Sequence, residues 1–225
     1  MQVKKRSGKK EAFSVEKIHK VVEWATKGIN GVSFSDIEMN ANLSIYDGIS
    51  SEEIHQILIK SANDLISTNY PNYQYVAARL LNMHLRKDVW GYGDQPTDFL
   101  LFLHRNVDNG IYDPAILEKW KDSQIDSLGK YISHNRDDLF TYAGLQQLID
   151  KYLVKNRSTG VIYETPQFAY MCIAMCLFDT LDEVKKAYDC YSTFKINLPT
   201  PIMAGVRTNI RQFASCVLVD VDDNL

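Results

Sequence analysis

"VKKRSGKKEAFSVEKIHKVVEWA", residues 3–25, packs a hairpin signal and a helix start into one stretch. Ser7-Gly8 is a turn pair between two short extended runs, which predicts strand, turn and strand. Ser14 then has the chemistry of an N-cap, and Glu16 suits the positive end of a helix. The helix should run from Val15 to about Gly28, a residue type that stops helices. Val15, Ile18, Val22, Ala25 and Ile29 recur at helical spacing and predict one apolar face. A basic hairpin feeding a helix N-terminus is thus the first structural unit of the chain.

Working outward, "NGVSFSDIEMNANL" predicts a turn and a second helix. "YDGISSEEIHQILIKSANDLI" predicts a third, with Ser50 and Glu53 at capping-box spacing and Ile54, Leu58, Ala62 and Leu65 as its stripe. Pro71 is placed to open a fourth, "PNYQYVAARLLNMHLRKDVW". "GYGDQPTD" (91–98) reads as a domain boundary. Beyond it, helical patterns fall around 97–107, 114–122, 139–153, 166–178 and 181–194. "KYLVKNRSTGVIYE" reads as a hairpin turning at Ser-Thr-Gly. From Leu198 helical periodicity is lost, and "FASCVLVDV" fits a buried strand of a barrel or parallel sheet.

With 225 residues the chain can bury a sizeable core in one or two domains. Its net charge of −3 gives no general attraction to nucleic acid. The first thirty residues nonetheless carry a balance of +5, which points to an anionic partner for that end alone. No stretch approaches the ~18 apolar residues of a membrane span, and the basic N-terminus lacks a signal-peptide core. The cysteines at 172, 176, 190 and 216 read as reduced thiols of a cytoplasmic protein. Cys172 and Cys176 lie four apart on an apolar helix and read as core residues, because no His or further Cys pair offers metal spacing.

Two places carry chemistry. In the basic hairpin, exposed backbone NH groups, a helix dipole and lysine ammonium groups favour phosphate. No Gly-x-x-x-x-Gly-Lys-Ser/Thr occurs, and on charge alone a merely solvated lysine-rich hairpin is the favoured reading over a ligand site. At the other end, "LPTPIMAGVRTNIRQFASCVLVDVDDNL" (198–225) holds a threonine between prolines, a Ser-Cys pair and an acidic turn. Cys216 alone reads either as a core thiol on a strand or as a reactive one.

"VKKRSG…EAFSVEKIHKVVEWA", "YDGISSEEIH" and "YPNYQYVAARLLNMHLRK" together resemble the ATP cone of the class I ribonucleotide reductase large (alpha) subunit. "TFKINLPTPIMAGVRT" and "RQFASCVLV" continue the resemblance in order. The resemblance implies an α+β ATP cone, a small sheet plus four-helix bundle, over residues 1–91. Residues 92–225 are then a mostly helical segment leading into the first strand of a ten-stranded α/β barrel, which the chain leaves incomplete. It implies ATP or dATP, carried with Mg, on Lys5, Arg6, Glu11, Ala12, Phe13, Ser14, Val15, Glu16, Lys17, Ser51, His55 and Lys87. It also implies substrate contacts from Thr200, Ser215 and Cys216. Cys216 would be one member of a redox thiol pair that reduces ribonucleoside diphosphates. Asp223, Asn224 and Leu225 would begin the loop for a second, specificity-setting nucleotide. No metal is expected on the chain's own side chains, and the radical cofactor is expected on a small subunit.

On that resemblance the second redox cysteine and the radical-bearing cysteine lie outside residues 1–225. The chain is therefore expected to be inactive alone, as a truncated chain or half of a split subunit. Its implied partners are the remainder of the large subunit, the small radical-generating subunit, thioredoxin or glutaredoxin, and nucleotides, with no nucleic acid and no membrane. Two other readings stand beside it. One is a free-standing ATP/dATP-binding module that docks to a partner. The other is an assembly protein whose nucleotide site has decayed.

Overall fold

The computed structural model describes residues 1–42, 44–91 and 96–219. The chain divides into two compact units, Met1–Pro96 with Asn135–Asp150, and Thr97–His134 with Lys151–Leu225. Of the boundary expected at 91–98, residues 92–95 lie outside those described. Among the described residues no helix is long and apolar enough to cross a membrane.

The first unit begins with an antiparallel pair, β1 (Gln2–Lys4) and β2 (Lys10–Ala12), in register Gln2↔Ala12, Val3↔Glu11 and Lys4↔Lys10. Gly8 turns the connection at φ +81, where a Cβ would be strained. Val3 is buried while its neighbours in β1 are exposed, as period-two alternation requires. Lys4 also bridges Ser50 in parallel, its NH donating to Ile49 O at 3.0 Å. This bridge seats the hairpin against the start of the third helix.

Four helices follow: α1 (Val15–Thr26), α2 (Phe34–Asn42), α3 (Ser51–Asp64) and α4 (Tyr73–Trp90). They pack α1 on α2, α2 on α3, α3 on α4 and α4 back on α1, which closes a four-helix bundle. Ile18, Val22, Ala25, Ile37, Leu58, Ala62, Val76 and Leu80 fill it. Each large aliphatic side chain so buried contributes about 1.5–3 kcal/mol. Val15, expected on the apolar face of α1, is exposed instead. Asp137 is buried in the same unit, where Arg86 Nη2 donates to it at 2.7 Å and Asn82 Nδ2 at 3.1 Å.

The remaining helices are α5 (Phe99–Asp108), α6 (Ala115–Lys119), α7 (Asp122–Tyr131), α8 (Tyr142–Lys151), α9 (Pro166–Leu177), α10 (Leu181–Ser192) and α11 (Thr200–Gly205), with a 3₁₀ turn at His134–Leu139. In the second unit α9 is buried nearly all round, with α10 and the rings of Phe99 and Phe102 among its neighbours. The expected hairpin forms around Ser158-Thr159-Gly160, with an antiparallel bridge Lys155↔Ile162, Asn156 N donating to Val161 O at 2.8 Å and Tyr163 N to Val154 O at 3.0 Å.

Two expectations for the stretch after Leu198 change. The stretch after Leu198, expected to lack helix, opens with α11. The expected buried strand, residues 213–221, has no strand pairing over its described part, 213–219, where Val217, Leu218 and Val219 are exposed; 220 and 221 lie outside the described residues. A parallel strand is stable only beside other strands, and the described residues supply none there.

Candidate functional site

The hairpin, the first half of α1, the first two turns of α3 and Lys87 of α4 line an open cleft. Val3, Ile18, Val21, Ile54 and Leu58 make its apolar wall. Lys5, Glu11, Lys17, Ser51, His55 and Lys87 supply the polar groups. Ala12, Phe13 and Ser14 form the edge where β2 passes into α1.

Local chemistry explains how each arrives. Ser14 caps α1, its Oγ accepting from Lys17 N at 3.4 Å, so Lys17 stands one turn into the helix. Ser50 caps α3 with a complete capping box, Glu53 N donating to Ser50 Oγ at 3.0 Å and Ser50 N to Glu53 Oε2 at 2.9 Å. That fixes Ser51 and His55 on successive turns facing the hairpin. Glu11 binds two cations at once, Lys17 Nζ at 2.9 Å and Lys5 Nζ at 3.2 Å. Its carboxyl is held below the ordinary range, by the Lys17 hydrogen bond first and the Lys5 hydrogen bond next. The cleft thus presents lysines in excess of its carboxylate.

His55 is buried, and Nε2 donates to Leu80 O at 2.7 Å. Burial pulls its pKa down to about 4, so the ring is neutral at pH 7. Its other nitrogen, Nδ1, is then an acceptor. The neighbouring ring of His84 lies 5.4 Å away, centroid to centroid.

Of the residues expected at the nucleotide, the fold gathers nine around this cleft. Arg6, Val15 and Glu16 are not among those lining it. Glu16 pairs along α1 with Lys20 at 2.8 Å. Arg6 Nη1 donates to Asp88 Oδ1 at 2.5 Å, and Nη2 to His84 Nδ1 at 3.2 Å. Sequence reasoning passed over the apolar wall, although the spacing of Ile54 and Leu58 signalled it. It also passed over Asp88, which lies one turn beyond His84 on α4.

At the other end, Thr200 opens α11 and is exposed, with its Oγ1 3.4 Å from Tyr152 OH. Ser215 and Cys216 are exposed, Ser215 Oγ lying 3.9 Å from Cys216 Sγ. Behind α11, Arg207 is fully buried; its Nε donates to Glu164 Oε2 at 2.8 Å and its Nη1 to Met203 O at 2.6 Å. Tyr112 donates to the same carboxylate, and burial followed by the Glu164 charge pushes its phenol well up. All four cysteines are free thiols. Burial raises Cys172 strongly and Cys176 to about 11, which makes both inert beside exposed Cys216. Asp223, Asn224 and Leu225 lie outside the described residues.

Residues 1–88 match the ATP cone domain, and residues 138–211 match the ribonucleotide reductase all-alpha domain. The ribonucleoside-diphosphate reductase 1 alpha subunit of Salmonella typhimurium is 47% identical over 99% of this chain and 30% of its own length. This chain belongs to the ribonucleotide reductase large-subunit family, as its N-terminal portion. Other large subunits match equally widely. That of Escherichia coli K12 is 46% identical over 99% of the chain, and that of enterobacteria phage T4 45% over 100%, each across 30% of the relative. The chain spans about 30% of the length of these curated relatives.

Proposed function

We propose that the chain serves as the nucleotide-sensing and substrate-side beginning of a ribonucleoside-diphosphate reductase large subunit. Residues 1–91 act as the regulatory ATP cone. Residues 92–225 lead through helices into the first strand of a ten-stranded α/β barrel. The observation that carries this reading is the cleft in which Lys5, Glu11, Lys17, Ser51, His55 and Lys87 converge against an apolar wall. A nucleotide has the matching division, an apolar base and a polyanionic tail. Lys5 and Lys17 would exchange part of their hold on Glu11 for the phosphates of ATP or dATP, whose accompanying Mg travels with the nucleotide. Neutral His55, an acceptor at Nδ1, suits a sugar hydroxyl or an amino group better than a phosphate oxygen.

At the far end, Thr200, Ser215 and Cys216 would meet the substrate. Replacing a 2′-hydroxyl by hydrogen consumes two electrons and two protons and releases water. Cys216 and a second cysteine supply them and become a disulfide, which thioredoxin or glutaredoxin resets by thiol exchange. A thiol proton assists departure of the hydroxyl as water. The exposure of Cys216 supports this role over that of a core thiol. Asp223, Asn224 and Leu225 would begin the specificity-effector loop. The partners are the remainder of the large subunit and the small subunit that carries the radical cofactor, all in the cytoplasm. The reductase-type match over 138–211 favours this reading over a free-standing nucleotide module.

Calorimetric titration with ATP and dATP tests the cone. Binding should weaken about tenfold in Lys5→Ala, the size of one lost charge-assisted hydrogen bond. The absence of heat with either nucleotide would overturn the sensing role. In the complex reconstituted with the remaining large-subunit polypeptide and the small subunit, turnover should collapse in Cys216→Ser and persist in Cys190→Ser. Equal turnover in both would remove Cys216 from the chemistry.

A further inference from the structure

Lys5 and Arg6 are neighbours in the chain, yet their side chains have different surroundings. Lys5 lines the cleft. Arg6 is clasped between Asp88 and His84, both on α4. Because a guanidinium only donates, His84 Nδ1 must accept. Gln56 Nε2 lies 3.0 Å from the ring's other nitrogen. Glu52 stands at the same place: a carboxylate oxygen of Glu52, a ring nitrogen of His84 and a carboxylate oxygen of Asp88 all lie within 4.8 Å of one another. Burial first of all lowers the pKa of His84, so the ring brings no charge of its own at pH 7. The guanidinium of Arg6 is therefore the cation held by the Asp88 carboxylate and a neutral imidazole, with the Glu52 carboxylate close to both.

This cluster adjoins the cleft. Arg6 is near enough to cleft-lining His55 to depress its pKa, and Lys87, which lines the cleft, directly precedes Asp88. Arg6 and Asp88 are each about one-third exposed, at 32% and 35%, so an anion from solution can reach the pair. A phosphate carries more charge than one carboxylate and accepts from a guanidinium in the same forked geometry.

We propose that Asp88 is a latch on the anion site: it holds the Arg6 guanidinium at the cleft's margin, and a nucleotide recruits Arg6 only by displacing it. The inference rests on the nucleotide reading above and adds to it an affinity-setting residue on α4. In the latched state Arg6 contributes nothing to an empty cleft, and the strength of the Arg6–Asp88 pair is subtracted from the affinity for the ligand. An ion pair this exposed shifts an equilibrium by roughly two- to fivefold.

The test is a double-mutant cycle on the full chain, with ATP and inorganic tripolyphosphate as probes and calorimetry as readout. Asp88→Asn keeps the shape and removes the charge; Asp88→Ser serves if the first variant folds poorly. The dissociation constant for both probes should fall about two- to fivefold in D88N. In an Arg6→Gln background the same D88N change should have no effect, since nothing is left to release. Unchanged or weaker binding in D88N, with the wild-type chain binding normally, overturns the latch and leaves the nucleotide reading intact. An equal gain in the Arg6→Gln background also overturns it, by showing mere removal of a negative charge. If no variant binds either probe, the nucleotide reading falls and the latch falls with it.

Discussion

The imidazole of His55 is committed on one side to Leu80 O, and burial holds its pKa at about 4 against an ordinary value of 6.5. Unfolding releases that ring to water, so between these values the unfolded chain binds more protons than the folded one. Stability from this group is complete above about pH 6.5 and is lost as the pH falls towards 4, on the order of 3 kcal/mol. His55→Gln keeps a donor for Leu80 O and removes the titration. Thermal unfolding followed from pH 7 to pH 4 should show a flatter decline in the variant. A residual slope will come from His84, whose pKa is also lowered, chiefly by burial. Phe194 is another residue whose conformation no local signal announces. It sits at φ +58 just past α10, where Lys195 N and Ile196 N both donate to Cys190 O. Nothing about a phenylalanine announces a left-handed conformation, which bulky side chains rarely adopt.

At the scale of elements, the helix caps set where the cleft residues stand. Ser50 and Glu53 close α3 reciprocally, and Tyr46 OH adds a bond to Glu53 Oε1 at 3.1 Å. Ser50→Ala leaves Glu53 N without its side-chain partner and should cost about 1 kcal/mol, read as a lower denaturation midpoint with an unchanged m-value. The box was legible from spacing alone, because capping involves residues three apart. The helices of residues 1–91 were legible for a similar reason, since each has a long amphipathic period. Elements that escaped were short or masked by composition. Gly129 argues against α7, yet it is needed there, because a Cβ would come within 2.8 Å of Phe99 Cβ. The 3₁₀ turn and the six-residue α11, with prolines at 199 and 201, are too brief for periodicity to register.

At the scale of the whole molecule, the second unit depends on a buried ion pair. Arg207 and Glu164 are both fully buried, and the carboxylate also accepts from Val154 N at 2.5 Å and from Tyr112. Arg207 Nη2 further donates to Tyr152 O at 2.9 Å, and so ties the segment carrying α11 to residues some fifty positions earlier. Arg207→Met strands a carboxylate in the interior and should destabilise by about 3–5 kcal/mol in chemical denaturation. Adding Glu164→Gln removes the stranded charge while keeping an acceptor, and should recover part of the loss. A loss no larger than that of an average surface substitution would show the pair to be dispensable.

The sequence by itself determined the basic hairpin, the caps of α1 and α3, the four amphipathic helices that follow and the family to which they belong. Those features are written in residues three to seven positions apart, where local sterics and hydrogen bonding decide. Only the tertiary structure decided which cations remain available to a ligand. It set Arg6 against a carboxylate 82 positions away, and it put Glu11 between two lysines. It also left Cys216 on an exposed segment rather than in the buried strand its neighbours suggested. Charge pairing and strand pairing depend on which surfaces packing brings together, and no local pattern of residue types encodes that meeting.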